Sequence, residues 1–157
     1  MNKYFKLILI TKLLLLTACG FKVVDQSEIM NFDIGNIEIT GNKRINYKLK
    51  NKLLFNSKAN EKKLINISLN TSKTKQVKEK NIKNEITKYD ITISVNITIE
   101  SVSKNDKSNF TISKVGNYNV NKQHSKTLTN EKKLIELLTD EIAEEILSEL
   151  KTRINDL

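Results

Sequence analysis

One stretch constrains the fold more than any other. Tyr89, Ile91, Ile93, Val95, Ile97 and Ile99 are apolar at strict period two, with polar residues at every position between them. Side chains alternate sides along a strand, so this segment puts one wholly apolar face on a core and one polar face toward water. A sheet covered on a single side satisfies that pattern, and the chain must supply the cover.

The remaining periodicities provide it. Residues 43–56 place Ile45, Leu49 and Leu53 four apart among Lys and Arg, with Leu54 nearby, which reads as a short amphipathic helix. Asn42, after Thr40-Gly41, is a plausible N-cap. From about Asn130 a long helix carries the stripe Leu134, Leu138, Ile142, Ile146, Leu150 and Ile154, flanked by Ile135, Leu137, Ala143 and Leu147. Acids line its other side, and Glu131 is placed near its positive N-terminal end. Packing of this stripe on the sheet is favoured over a coiled-coil partner, because the strands need covering.

Strands fill the intervals. Phe32, Ile34, Ile37 and Ile39 alternate with a one-residue slip at Gly35-Asn36, the mark of a bulge. Ile65, Ile67 and Leu69 alternate in residues 62–71, and a polar segment follows over 72–88. After a turn at Ser103–Ser108, Phe110, Ile112, Tyr118 and Val120 form a returning strand. Lys114 falls on its apolar side, which predicts a bulge or register change near Val115-Gly116. The order is β-α-β-β-β-α. It implies an α+β two-layer sandwich whose four-stranded, mixed but mostly antiparallel sheet is covered on one face by two helices.

Composition removes several functions. With one Cys and one His, the chain can build neither an internal disulfide nor a Cys/His zinc site. Its four Gly form no GxGxxG or GxxxxGK[ST] loop. His124 stands in Lys122-Gln123-His124-Ser125 with no nucleophile setting, Ser125 being too near for a usual pairing. The chain reads as a binding protein rather than an enzyme, with no cofactor and no metal.

The single Cys carries the strongest local signal. Met1–Cys19 reads MNKYFKLILITKLLLLTAC: Lys3 and Lys6, then an apolar run broken by Lys12, then small residues. That is a secretory signal, too short for the roughly 20 apolar residues of a spanning helix. Leu16-Thr17-Ala18-Cys19 resembles the bacterial lipobox, which implies removal of residues 1–18 and covalent acylation of Cys19. Gly20, where many Gram-negative inner-membrane lipoproteins carry Asp, points to the outer membrane. Residues 19–31 then form a lipid-anchored tether and residues 32–157 a single domain.

Charge is unevenly placed. The full chain carries +9, and loss of Lys3, Lys6 and Lys12 leaves +6. Residues 130–157 contribute −4 against +10 for residues 19–129. Lys, Asn and Ile dominate as AT-rich coding favours, so codon bias competes with a partner as the source of the basicity. Export argues against nucleic acid as a partner, and aromatics for stacking on bases are few.

Cys19-Gly20-Phe21 after the lipobox resembles the start of the lipopolysaccharide-assembly lipoproteins of the LptE family. The order of elements is similar too: a short strand, a helix with Arg44 and Leu49, a hairpin run, long strands entered at Tyr89-Asp90-Ile91, and a C-terminal helix. The resemblance implies a periplasm-facing protein anchored in the outer membrane. Such a protein plugs the LptD β-barrel, assists its assembly, and binds lipopolysaccharide as it passes to the outer leaflet. Lys73, Lys75, Lys78, Lys80, Lys83, Lys104 and Lys107 are the positional candidates for its phosphates. Another small outer-membrane lipoprotein, an accessory or scaffold in lipid transport or barrel assembly, is the competing reading.

Overall fold

A computed structural model describes residues 32–57, 64–103 and 106–156. The signal, Cys19, the tether and Lys104 lie outside the described residues. The elements are β1 (Asp33–Gly41), α1 (Lys43–Asn56), β2 (Leu64–Lys80), β3 (Ile86–Ser101), β4 (Lys107–Asn119) and α2 (His124–Asp156), in the expected α+β order. The sheet runs β1-β2-β3-β4, with β1 parallel to β2 and the other pairs antiparallel. Both helices lie on one face.

The period-two stretch does what its pattern demands. Ile91, Ile93, Val95, Ile97 and Ile99 are buried beside Ile65, Ile67 and Leu69 from β2 and Ile112 from β4. Ile45, Leu49 and Leu53 of α1 and Leu138, Ile142, Ile146, Leu150 and Ile154 of α2 close the core from above. The β1 slip is real: the register shifts between Ile34 and Asn36. Asn42 caps α1, its side chain accepting from the Ile45 amide. Just before it, Gly41 stands at φ +89°, where a Cβ would lie 2.0 Å from the Thr71 carbonyl oxygen; only glycine fits this turn.

A buried polar contact locks the same corner. The Asn46 amide donates to the Thr40 carbonyl at 2.7 Å, and the Thr71 hydroxyl donates to the Asn46 carbonyl oxygen. Buried amides need such partners, and these tie α1 to β1 and β2 at once.

Three expectations are corrected. First, residues 72–80 are not a separate polar segment: β2 continues through them to Lys80, pairing with β3. Second, β4 has no bulge at Val115-Gly116, because its register with β3 is unbroken from Lys88↔Asn119 to Glu100↔Lys107. Lys114 stays on the helix side, opposite Ile93, because Glu145 of α2 meets its ammonium at 2.5 Å. Gly116 leaves room for α2, since a Cβ there would lie 2.6 Å from Leu134 Cδ1. Third, α2 starts at His124, six residues before the expected position. Thr127 anchors the early turn, its hydroxyl accepting from the Asn121 amide at 2.8 Å. Glu131 therefore lies well inside the helix, away from its N-terminal end.

Candidate functional site

Two surfaces distinguish this molecule: the uncovered face of the sheet and the hairpin that β2 and β3 extend beyond it. The first follows from alternation. Opposite the buried positions stand Ser68, Asn70, Ser72, Thr74 and Gln76 on β2, Thr92, Ser94, Asn96 and Thr98 on β3, and Asn109, Thr111 and Ser113 on β4. Hydroxyls and amides dominate, and they bond across the strands. Ser94 and Ser113 share a hydrogen bond of 2.8 Å, and the Thr111 hydroxyl donates to Asn96 at 2.8 Å. Such a face offers hydrogen bonds in both directions with little charge to desolvate.

The second surface begins where the neighbouring strands stop. β1 ends at Gly41 opposite Thr71, and β4 ends at Asn119 opposite Lys88. Beyond these pairs β2 and β3 run on as a two-stranded arm, kinked by register shifts between Val77 and Lys80. Its turn is built around Asn81, whose side-chain oxygen accepts from the Lys83 and Glu85 amides at 2.9 and 3.0 Å. Asn84 takes the left-handed conformation at φ 62°, which Asn tolerates. Ile82 points outward at the tip, fully exposed.

The structure sorts the candidate lysines into three groups. Lys73 and Lys75 share the helix-covered face of β2 and converge on Glu131 of α2, at 4.0 and 2.7 Å. The Lys75 ammonium also lies 4.3 Å above the Tyr89 ring, which stacks on Tyr118 at 5.7 Å, and the Tyr118 hydroxyl donates to Glu131 at 2.8 Å. Burial alone would pull Lys75 down, but Glu131 and the Tyr118 hydroxyl hold it above its ordinary range. Burial would likewise raise Glu131, yet the Lys75 and Tyr118 hydrogen bonds and the nearby cations carry it below the usual carboxylate value. Tyr118 is raised, chiefly by burial.

Lys78 lies at the root of the arm, and Lys80 and Lys83 lie on it. Lys78 pairs with Asp90 at 3.0 Å, whereas Lys80 donates to the neutral Asn84 side chain at 2.9 Å, and Lys83 is exposed in the turn. Lys107 is at the other end of the sheet, paired with Glu100 at 3.1 Å. The candidates thus do not form one patch. Among the described candidates, Lys80 and Lys83 are the two that meet no acid, and so the most open to an incoming anion. Sequence reasoning missed Glu131 as the partner of Lys73 and Lys75. The signal was available: period two continues through Lys73, Lys75 and Val77, placing those lysines under the helix.

His124 opens α2 and is exposed. No described helix is long and apolar enough to cross a membrane.

Solved structures of bacterial lipoproteins share this fold. Lipoprotein B from Nitrosomonas europaea aligns with a TM-score of 0.61 and 14% identity over 87% of this chain and 93% of its own. Rare lipoprotein B from Shewanella oneidensis aligns at 0.54 and 14% identity over 76% of this chain and 97% of its own. A minor lipoprotein from Acinetobacter baumannii gives 0.53 and 13% over 75% and 93%. No family model matches the sequence, and no curated protein matches it. At these identities it is the fold that is held in common, across nearly the whole length of those proteins.

Proposed function

We propose that this chain is a divergent lipopolysaccharide-assembly lipoprotein of the LptE family. In this reading it is acylated at Cys19, held on the periplasmic side of the outer membrane, and seated in an LptD-type β-barrel, where it binds lipopolysaccharide during insertion. The observation that carries the reading is the shared fold: solved structures of rare lipoprotein B and lipoprotein B are covered almost end to end by the β-α-β-β-β-α domain, the same order of elements that the LptE resemblance implies. The lipobox and Cys19-Gly20-Phe21 supply the anchor that such a role needs.

The two surfaces suit the two partners. Barrel lumens are polar, and a sheet face of Ser, Thr and Asn can bond to such a wall without burying unpaired charge. The arm, with Lys80 and Lys83 at its end, offers point charges to lipid A phosphates and core acids. Nothing in this role requires a catalytic group, a metal or a cofactor beyond the acyl lipid.

The test is co-purification. A tagged chain extracted from its native envelope in mild detergent is expected to bring down a large β-barrel in stoichiometric amount. Absence of any barrel, under conditions that keep outer-membrane complexes intact, overturns the reading in favour of a separate lipoprotein accessory.

A further inference from the structure

We infer that the end of the domain nearest the anchor is a bilayer-docking surface. Leu54, Phe55, Leu64 and Val102 seat it on the phospholipid interface that holds the acylated Cys19. The inference rests on the lipid-anchor reading above, and the experiment below separates the two.

Topology gathers the four residues. β1 starts at Asp33 beside Leu64, and β1 and α1 then run up and back. From Thr71 down to Leu64 is seven strand steps, roughly 23 Å at ~3.3 Å each. The 14 residues of α1 descend roughly 21 Å at ~1.5 Å each. The helix therefore ends level with Leu64, carrying Leu54 and Phe55 to the start of the sheet. Val102 opens the β3–β4 turn at the same level, its amide donating to the Leu64 carbonyl at 3.1 Å.

All four are open to solvent. Phe55 is 86% exposed, Val102 50%, Leu54 43% and Leu64 39%. The core beneath them is already closed by Phe32, Leu53 and Ile65, each nearly fully buried. The apolar residues at this end are thus surplus to folding.

The occupant follows from where the chain enters. Phe32 is buried at this end, so the polypeptide coming from Cys19 arrives here. Thirteen residue steps separate the two, at most about 45 Å at ~3.5 Å each. The link lets this end touch the membrane and lets it stand off. Exposed apolar side chains decide for contact, because tethering makes a weak interfacial affinity effective. The last turns of α1 add charge of the right sign: Lys50 is partly exposed near this end, whereas Lys48 and Lys52 are held by Asp140 of α2. The far end of the molecule supplies a built-in control, since Ile82 is just as apolar and fully exposed but sits at the tip of the arm.

The experiment uses the acylated full chain, in which the Cys19 sulfur is occupied. Phe55→Cys and Ile82→Cys each then offer one thiol for an environment-sensitive nitrobenzoxadiazole label. Reconstituted phosphatidylethanolamine/phosphatidylglycerol vesicles containing a doxyl-labelled lipid are floated, and quenching is read. Docking gives blue-shifted emission and at least threefold stronger doxyl quenching at position 55 than at 82. Protein that does not float overturns both anchor and docking. Protein that floats with equal, weak quenching at the two positions overturns docking alone. A blue shift at 55 without doxyl quenching means that another protein surface, including a second copy, covers this end, and it also overturns bilayer docking.

Discussion

The two faces of one strand differ completely. On β3 the side under the helices reads Ile91, Ile93, Val95, Ile97 and Ile99, and the side away from them reads Asp90, Thr92, Ser94, Asn96, Thr98 and Glu100. Alternation on a common backbone assigns one set to the core and the other to contacts outside the domain. Stability belongs to the first face, whose branched side chains exclude water. The second face adds little to folding and is free to meet a partner. That division can be broken experimentally.

The largest effect is expected on the covered face. Ile93→Ala removes a fully buried side chain in the middle strand and should cost about 3–4 kcal/mol, read as a lower midpoint in urea denaturation. Ser94→Ala, one residue away on the open face, should stay within about 0.5 kcal/mol. Equal losses at the two positions would mean that the open face is also packed. Next is Gly41→Ala, which sets a Cβ against the Thr71 carbonyl at a positive φ and should cost about 2 kcal/mol or more.

A smaller effect probes the place where charge has entered the covered face. Glu131→Gln removes the carboxylate that holds Lys73, Lys75 and the Tyr118 hydroxyl, and should cost about 1 kcal/mol at pH 7 after allowance for solvent screening. The pH dependence fixes the sign. Glu131 titrates lower in the fold than its ordinary 4.5, so its contribution is present above that value and fades as pH falls through the lower folded one. Lys75 titrates higher than its ordinary 10.5, so its contribution is present below that value and fades as pH rises through the higher folded one. Glu131→Gln should therefore flatten the loss of stability on the acid side. An unchanged acid limb would show that Asp140, also held low against burial by Lys52 and Lys48, governs it.

These lysines also mark where the fold was legible in sequence and where it was not. Strict alternation exposed β3, the four-residue spacing exposed α1, and the slip at Gly35-Asn36 showed the β1 bulge, because each is a local pattern of apolar side chains. The pattern fails where a polar residue takes a covered position and finds its partner far along the chain. Lys114 suggested a bulge because Glu145 could not be foreseen opposite it. Lys73 and Lys75 made half of β2 read as a polar segment outside the strand for the same reason. The first turns of α2 hold a buried Thr127 where a stripe would show a hydrophobe. Of the candidate site, the basic character of 72–88 was readable, but its division between structural lysines and free ones depends on tertiary pairing.

That division yields the smallest effect on folding and the sharpest contrast within the arm. Lys80→Gln with Lys83→Gln should leave the urea midpoint unchanged, because neither ammonium meets an acid: Lys80 bonds only to Asn84, and the turn is held by Asn81. If the arm receives lipopolysaccharide phosphates, the double variant should weaken binding by about five- to tenfold at low salt, with the difference shrinking as salt rises. Lys73→Gln with Lys75→Gln should show the converse, a loss of stability with affinity changed less than twofold. Both pairs lie within eleven residues of one another on the same ribbon and have the same charge. Their place along the ribbon differs: one pair lies under α2 and is spent on Glu131, and the other lies at the end of the arm and is left for a ligand. Equal affinity losses from both would mean that the ligand is drawn by net charge alone, and that the arm has no privileged place in recognition.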